Sequence, residues 1–164
     1  MRMTQLFLVA FTLPAMAIAQ DAPLAQTTKE GLVDALTPPL KLRGAEVTAM
    51  ARPSIDLAVT FALGSAELSE EAKGLLATVA EALGSDALAG YRFSVAGHTD
   101  AVGRADDNLA LSQARAQSVK TYLTSTQGIA PDRLDILGFG ETRLLFPDAP
   151  EDGRNRRVEI TTLN

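Results

Sequence analysis

The chain has 164 residues, with 15 lysines and arginines against 20 aspartates and glutamates, one histidine and no cysteine. That length allows one ordinary domain with additions, and a hydrophobic fraction of 46% is enough for a packed core. The lack of cysteine excludes a disulfide framework and a thiolate metal centre, a single histidine argues against a zinc or iron cluster, and a formal net charge of −5 argues against general affinity for nucleic acid or anionic membrane. No metal and no cofactor is expected, and any recognition of an anion has to be local.

At the N-terminus, Arg2 precedes an apolar run from Leu6 to Leu13, Pro14 breaks it, and Ala17-Ile18-Ala19 supplies a small-x-small pattern before Gln20. These three regions read as a secretory signal peptide over residues 1–19. The run falls short of the roughly 20 residues that a membrane helix needs, so no transmembrane span is expected in the mature chain. Residues 20–53 read as an N-terminal extension or linker with Pro23, Pro38, Pro39 and Pro53. Its one helical candidate runs from Lys29 to Leu36, with Thr28 as cap, and stops before Pro38. Packing against the domain and tethering it both remain open.

From Ser54 the periodicity becomes orderly. Ile55, Leu57, Val59 and Phe61 alternate with Ser54, Asp56, Ala58 and Thr60, the period of a strand with one buried face. Ser69 followed by Glu70 and Glu71 caps a helix that carries Ala72, Leu75, Leu76, Val79 and Leu83 on one side and ends at Gly84. A second strand runs from Tyr91 to His98. A second helix is expected from about Asn108 to Thr126, with Asp106 or Asp107 as cap, and Gly128, Ile129 and Pro131 terminate it. A third strand spans Arg133 to Phe139, a polar excursion occupies residues 141–155, and a closing strand covers Arg157 to Leu163. The order β-α-β-α-β-β, with right-handed crossovers, predicts a two-layer α/β sandwich with a mixed sheet and its helices on one face.

Most groups able to recognise a ligand lie between residues 97 and 116. Arg115 falls within the apolar stripe formed by Leu111, Val119, Tyr122 and Leu123, so its guanidinium turns toward the packed face and needs a partner. Asp100, at the end of the second strand, is the candidate, either directly or with a ligand between the two charges. The pair reads as a clamp for a zwitterion, the carboxylate taking an ammonium and the guanidinium a carboxylate, or as an internal salt bridge. Thr99, Asn108 and Ser112 can add hydrogen bonds or cap the helix. His98 is expected at the surface or rim. No catalytic residue is assigned, since there is no Gly-x-Ser-x-Gly elbow and no further histidine to serve a serine. Arg154, Arg156 and Arg157 form the densest basic cluster, either solvated beside Glu151 and Asp152 or completing an anion-binding rim.

Gly97-His98-Thr99-Asp100, then Gly103, Asn108, Leu111-Ser112, Arg115-Ala116 and Val119, resemble in order and spacing the OmpA-like C-terminal domain, a peptidoglycan-binding module. Phe61 with Ser65 and Leu68, Gly138-Phe139-Gly140-Glu141, and the run from Gly153 to Ile160 extend the resemblance over residues 54–163. The resemblance implies an OmpA-like peptidoglycan-binding domain over residues 54–164. It further implies non-catalytic, non-covalent binding of the peptidoglycan stem peptide at meso-diaminopimelate. By it, Asp100 and Arg115 grip the zwitterionic end, Thr99, Asn108 and Arg156 support them, and the backbone at Gly64 makes a first-loop contact. A periplasmic location follows, at the cell wall or outer membrane, with an envelope protein partner through residues 20–53. Ala62-Leu63 stand where the family has a polar residue, which supports an alternative: an assembly factor with this fold that no longer binds peptidoglycan.

Overall fold

The computed structural model describes residues 28–39, 52–62 and 64–163. The expected signal peptide, most of the 20–53 extension and Leu63 of the first loop lie outside them. The elements in chain order are α1 (Lys29–Leu36), β1 (Ser54–Leu57), α2 (Glu70–Leu83), β2 (Phe93–His98), α3 (Ala105–Ser125), β3 (Leu134–Gly140) and β4 (Val158–Thr162). Short 3-10 turns at Pro131–Arg133 and Gly153–Asn155 precede the last two strands.

The sheet has the order β1-β4-β2-β3. β2 and β3 pair in parallel, while β4 lies antiparallel to both β1 and β2, so the sheet is mixed, as the element order predicts. Closing the chain between its first two strands puts Val158 and Ile160 at the centre of the core. Sequence order alone does not reveal that insertion.

The three helices share one hydrophobic cluster with one face of the sheet. Leu76, Val79 and Leu83 of α2 and Val119 and Leu123 of α3 meet Phe93, Val95 and Ile160, all of them buried. α1 belongs to the same cluster: Leu32 and Leu36 are fully buried, and the Thr162 hydroxyl donates to the Leu36 carbonyl at 2.7 Å. Thr28 caps this helix, its Oγ1 accepting from the Gly31 N–H at 3.2 Å. Among the described residues no helix is long and apolar enough to cross a membrane.

Three local expectations change. The first strand ends at Leu57 and does not reach Phe61, because the Val59 N–H turns back onto the Leu57 carbonyl at 2.9 Å and leaves the ladder; Phe61 then bridges to Leu68 alone. α3 starts at Ala105 with Arg104 in the cap position, so Asp106 and Asp107 sit inside the first turn. There they favour the positive helix end without capping it. His98 is buried at 1% exposure, a point taken up below. The end of α3 is as expected: Gly128 has φ 75° and the Ile129 N–H reaches the Leu123 carbonyl at 3.0 Å, a left-handed termination.

Truncating a fully buried leucine removes transfer energy and leaves a cavity. Leu32→Ala is therefore expected to lower the unfolding free energy by about 2–5 kcal/mol in urea titration. An effect within about 0.5 kcal/mol would mean that α1 is not part of the cooperative unit.

Candidate functional site

The site forms where β2 ends, α3 begins and the 141–155 excursion returns. α3 lies close against the sheet because Gly97 and Gly138 have no side chains. A Cβ at Gly97 would collide with the Ser112 carbonyl, and one at Gly138 would collide with Gln113. The Ser112 hydroxyl ties the two layers by accepting from the Gly140 N–H at 2.9 Å while donating to the Leu109 carbonyl at 2.8 Å.

Asp100 is 8% exposed. One carboxylate oxygen accepts from Nη1 of Arg156 at 2.6 Å, and the other accepts from the Val102 N–H at 3.3 Å. The direct Asp100–Arg115 salt bridge considered from the sequence is therefore not formed; Arg156 takes that place. The excursion carries it there. Asn155, fully buried, accepts from the Phe146 N–H and donates to the carbonyls of Ala149 and Pro150, and the Pro150 carbonyl in turn accepts from the Ala101 N–H at 2.9 Å. Gly153 leaves room for the Arg156 guanidinium, which a Cβ there would strike.

Arg115 is 6% exposed. Its Nε donates to the Ser65 carbonyl at 3.0 Å, and its guanidinium lies 4.9 Å from the centre of the Phe61 ring. Among the described residues its two Nη groups have no hydrogen-bond partner. Burial lowers its pKa, the positive charge of Arg156 lowers it further, and Asp100 opposes both. Two guanidiniums thus share one carboxylate, and Arg115 has no hydrogen-bonded anion of its own among the described residues.

The other expected residues take different positions. Gly64, exposed with φ 63°, forms the turn that presents the Ser65 carbonyl to Arg115. Asn108 is buried, and its Nδ2 lies within hydrogen-bond range of the carbonyls of Asp100 (3.3 Å) and Val102 (3.2 Å) and of Glu141 Oε2 (2.6 Å). Its amide is spent holding the loop. The Thr99 N–H donates to the Gly140 carbonyl, and its hydroxyl is buried with no hydrogen-bond partner among the described residues. The basic cluster is divided: Arg154 pairs with Asp152 and stacks on Phe146, Arg156 meets Asp100, and buried Arg157 binds Asp56 at 2.6 Å.

Sequence reasoning gives no site role to Glu141 or Phe61. Glu141 stands out only as the residue after Gly138-Phe139-Gly140 at the end of β3, and Phe61 acts through a ring face, as Ser65 does through a carbonyl, which residue type does not advertise. A separate shallow groove of about 350 Å³ between the start of α2 and α3, lined by Glu67, Lys73, Gln117 and Thr121 among others, contains none of the charged residues of the cluster.

His98 is not at the rim. It lies on the sheet face away from the helices, its ring 5.3 Å from that of Phe139, with Nε2 3.5 Å from Glu159 Oε2. That distance is an electrostatic contact, longer than a charge-assisted hydrogen bond. The His98 imidazole, helped by the Thr161 hydroxyl and opposed by burial, holds the Glu159 carboxyl down to about 2. Among the described residues no group of three or more histidines and acidic residues is arranged to hold a metal ion.

The family model of the OmpA family matches residues 60–157. The outer membrane porin F of Pseudomonas fluorescens is 48% identical over 69 residues, covering 41% of this chain and 21% of the porin. The peptidoglycan-associated lipoprotein of Pseudomonas aeruginosa is 34% identical over 102 residues, covering 61% of this chain and 58% of the lipoprotein. Among solved structures, the cell wall anchor of the T6SS from Pseudomonas aeruginosa superposes with a TM-score of 0.55 at 33% identity, covering 68% of this chain and 81% of that one. The chain thus spans a fifth to three fifths of the length of these two sequence relatives.

The depressed Glu159 carboxyl has a pH consequence. A carboxyl whose folded value of about 2 lies below the usual 4.5 contributes stability above about pH 4.5, and loses it as the pH falls toward 2. Thermal unfolding followed across that window is expected to show a shallower acid decline for Glu159→Gln than for the parent chain. Parallel declines would remove Glu159 from the linkage.

Proposed function

The chain belongs to the OmpA family, and on that premise we propose that it binds peptidoglycan without catalysis and without a covalent bond. The ligand group is the meso-diaminopimelate of the stem peptide, and Asp100 and Arg115 are the gripping residues. The relatives named as a peptidoglycan-associated lipoprotein and a cell wall anchor support association with the wall. The observation that carries the finer reading is Arg115, a buried guanidinium with both Nη groups unpaired among the described residues, beside a carboxylate shared with a second guanidinium.

The chemistry follows from that charge count. A ligand carboxylate forms two parallel hydrogen bonds to the Arg115 fork and gives that guanidinium an anionic partner. The ligand ammonium then takes an oxygen of Asp100. Arg156, whose side chain is 52% exposed, can release Asp100 Oδ2 and turn to the ligand carboxylate once the ammonium has replaced it, since the Asp100 side chain, 11% exposed, would otherwise be left a buried charge without a partner. The Thr99 hydroxyl, buried without a hydrogen-bond partner among the described residues, and the backbone at Gly64 supply supporting contacts in this reading, and Asn108 holds the loop that carries Asp100. The protein acts in the periplasm after export, at the wall or outer membrane, as a link between peptidoglycan and an envelope partner held by residues 20–53.

One observation favours the assembly-factor alternative: Asp100 is already satisfied by Arg156. Calorimetric titration decides between the two readings. A diaminopimelate-containing stem peptide is expected to bind, and the matched lysine peptide, which lacks the second carboxylate, to bind far more weakly. Asp100→Ala and Arg115→Ala are each expected to weaken binding at least about 30-fold, the cost of leaving one member of a charge pair unpartnered. Folded protein that ignores both peptides would favour the assembly factor. Asp100→Ala that unfolds the chain but leaves binding intact in the folded fraction would make Asp100 structural.

A further inference from the structure

β3 occupies an edge of the sheet, hydrogen-bonded on one side to β2 and to no other strand among the described residues. A strand edge offers a row of unpaired backbone donors and acceptors, and folded proteins usually blunt it with lysine, proline or short length. The opposite edge is blunted in that way: β1 has four residues and follows Pro53. β3 has seven residues, LDILGFG, with neither lysine nor proline; its pairing with β2 is regular from Leu134 to Gly138 and is interrupted only near its end, where Phe139 is an extra residue between Gly138 and Gly140. Its one charge, Asp135, is held by both oxygens to Arg92 at 2.9 and 2.8 Å. Lys120 covers only the first carbonyl, that of Leu134, at 2.6 Å. Ile136 and Leu137, at 37% and 45% exposure, lie on opposite faces of the uncovered stretch.

We infer that β3 pairs antiparallel with β3 of a second copy of this chain, about a two-fold axis through Leu137. The strand is self-complementary in that register. Strand alternation puts Asp135, Leu137 and Phe139 on the sheet face away from the helices. With Leu137 on the axis, the two Leu137 side chains oppose each other, Ile136 opposes Gly138, and Asp135 opposes Phe139 of the second copy. Arg143 lies 3.8 Å over the Phe139 ring, so each Asp135 carboxylate, bound to its own Arg92 and 49% exposed, faces a second guanidinium across the axis. Symmetry repeats that ion pair and joins two four-stranded sheets into one. Charge complementarity in this register is what selects a second copy over an unrelated strand.

The chain has no cysteine, so a single introduced thiol reports on the axis without background. Residues directly opposed in an antiparallel pair have Cα atoms about 4.5–5.5 Å apart, inside the range a disulfide spans. Leu137→Cys is therefore expected to oxidise to a covalent dimer, and Leu109→Cys, exposed at 41% on α3, to remain largely monomeric under the same conditions. In sedimentation equilibrium the parent chain is expected to reach twice its monomer mass as concentration rises, and Leu137→Lys to stay monomeric with an unchanged thermal transition. A parent chain that stays monomeric at every concentration overturns the inference and leaves the edge to a strand of another protein. A dimer that survives Leu137→Lys, or equal cross-linking at Leu109, places the contact elsewhere and also overturns it. None of these readings depends on wall binding, so the two proposals fail separately.

Discussion

The close seating of α3 on β2 and β3 is the constraint on which the site depends. Side chains at Gly97 and Gly138 would push the helix off the sheet. Without them the Ser112 hydroxyl can join the Gly140 N–H to the helix backbone, which sets both the height and the rotation of α3. From that placement Asn108 reaches the Asp100 loop and Glu141, while two turns further on Arg115 reaches the first loop at Ser65. One helix therefore holds two loops that are distant in sequence. A shift of that helix would disturb both, because packed layers repack in steps and do not deform smoothly.

The charges at the sheet end are arranged so that one is left over. A buried guanidinium ordinarily carries a carboxylate partner, since desolvating a lone charge costs several kcal/mol. Arg115 is retained with less: a single carbonyl and a ring face, each favourable but neither neutralising. Asp100 is near enough to act on it electrostatically, but one of its oxygens is committed to Arg156. The arrangement suits a ligand that brings its own carboxylate and ammonium, because each ligand charge then meets an opposite one while the net charge of the site is unchanged.

The other face of the sheet carries a separate set of interactions. His98, Phe139 and Arg143 stack in sequence, and Glu159 sits beside the imidazole while Arg157, just before the same strand, joins Asp56 across to β1. With no helix among the described residues over this face, polar and aromatic side chains cover the small residues Ser94 and Ala96 at its centre. His98 is buried for the same reason. Its burial comes from Phe139 and Glu159, on two strands brought together only by the fold.

By itself the sequence determined the parts whose cause is local. The helical repeats, the Ser69 cap, the left-handed stop at Gly128, the mixed α/β order and the anomalous arginine in the stripe of α3 all follow from periodicity and backbone stereochemistry. The residues of the OmpA-like motif are legible in the same way, because they cluster within one short stretch. Tertiary structure alone decided the insertion of β4 between β1 and β2, the entry of Leu32 and Leu36 into the core, the end of β1 at Leu57 and the burial of His98. It also decided which arginine meets Asp100. Arg156 lies 56 residues away along the chain and is brought there by a proline-containing excursion pinned at Asn155, whereas Arg115, placed nearer by sequence and by helical phase, is drawn instead to Ser65 and Phe61. Spacing along one element fixes direction on that element, but the partner of a charge is chosen by the loops that close over it.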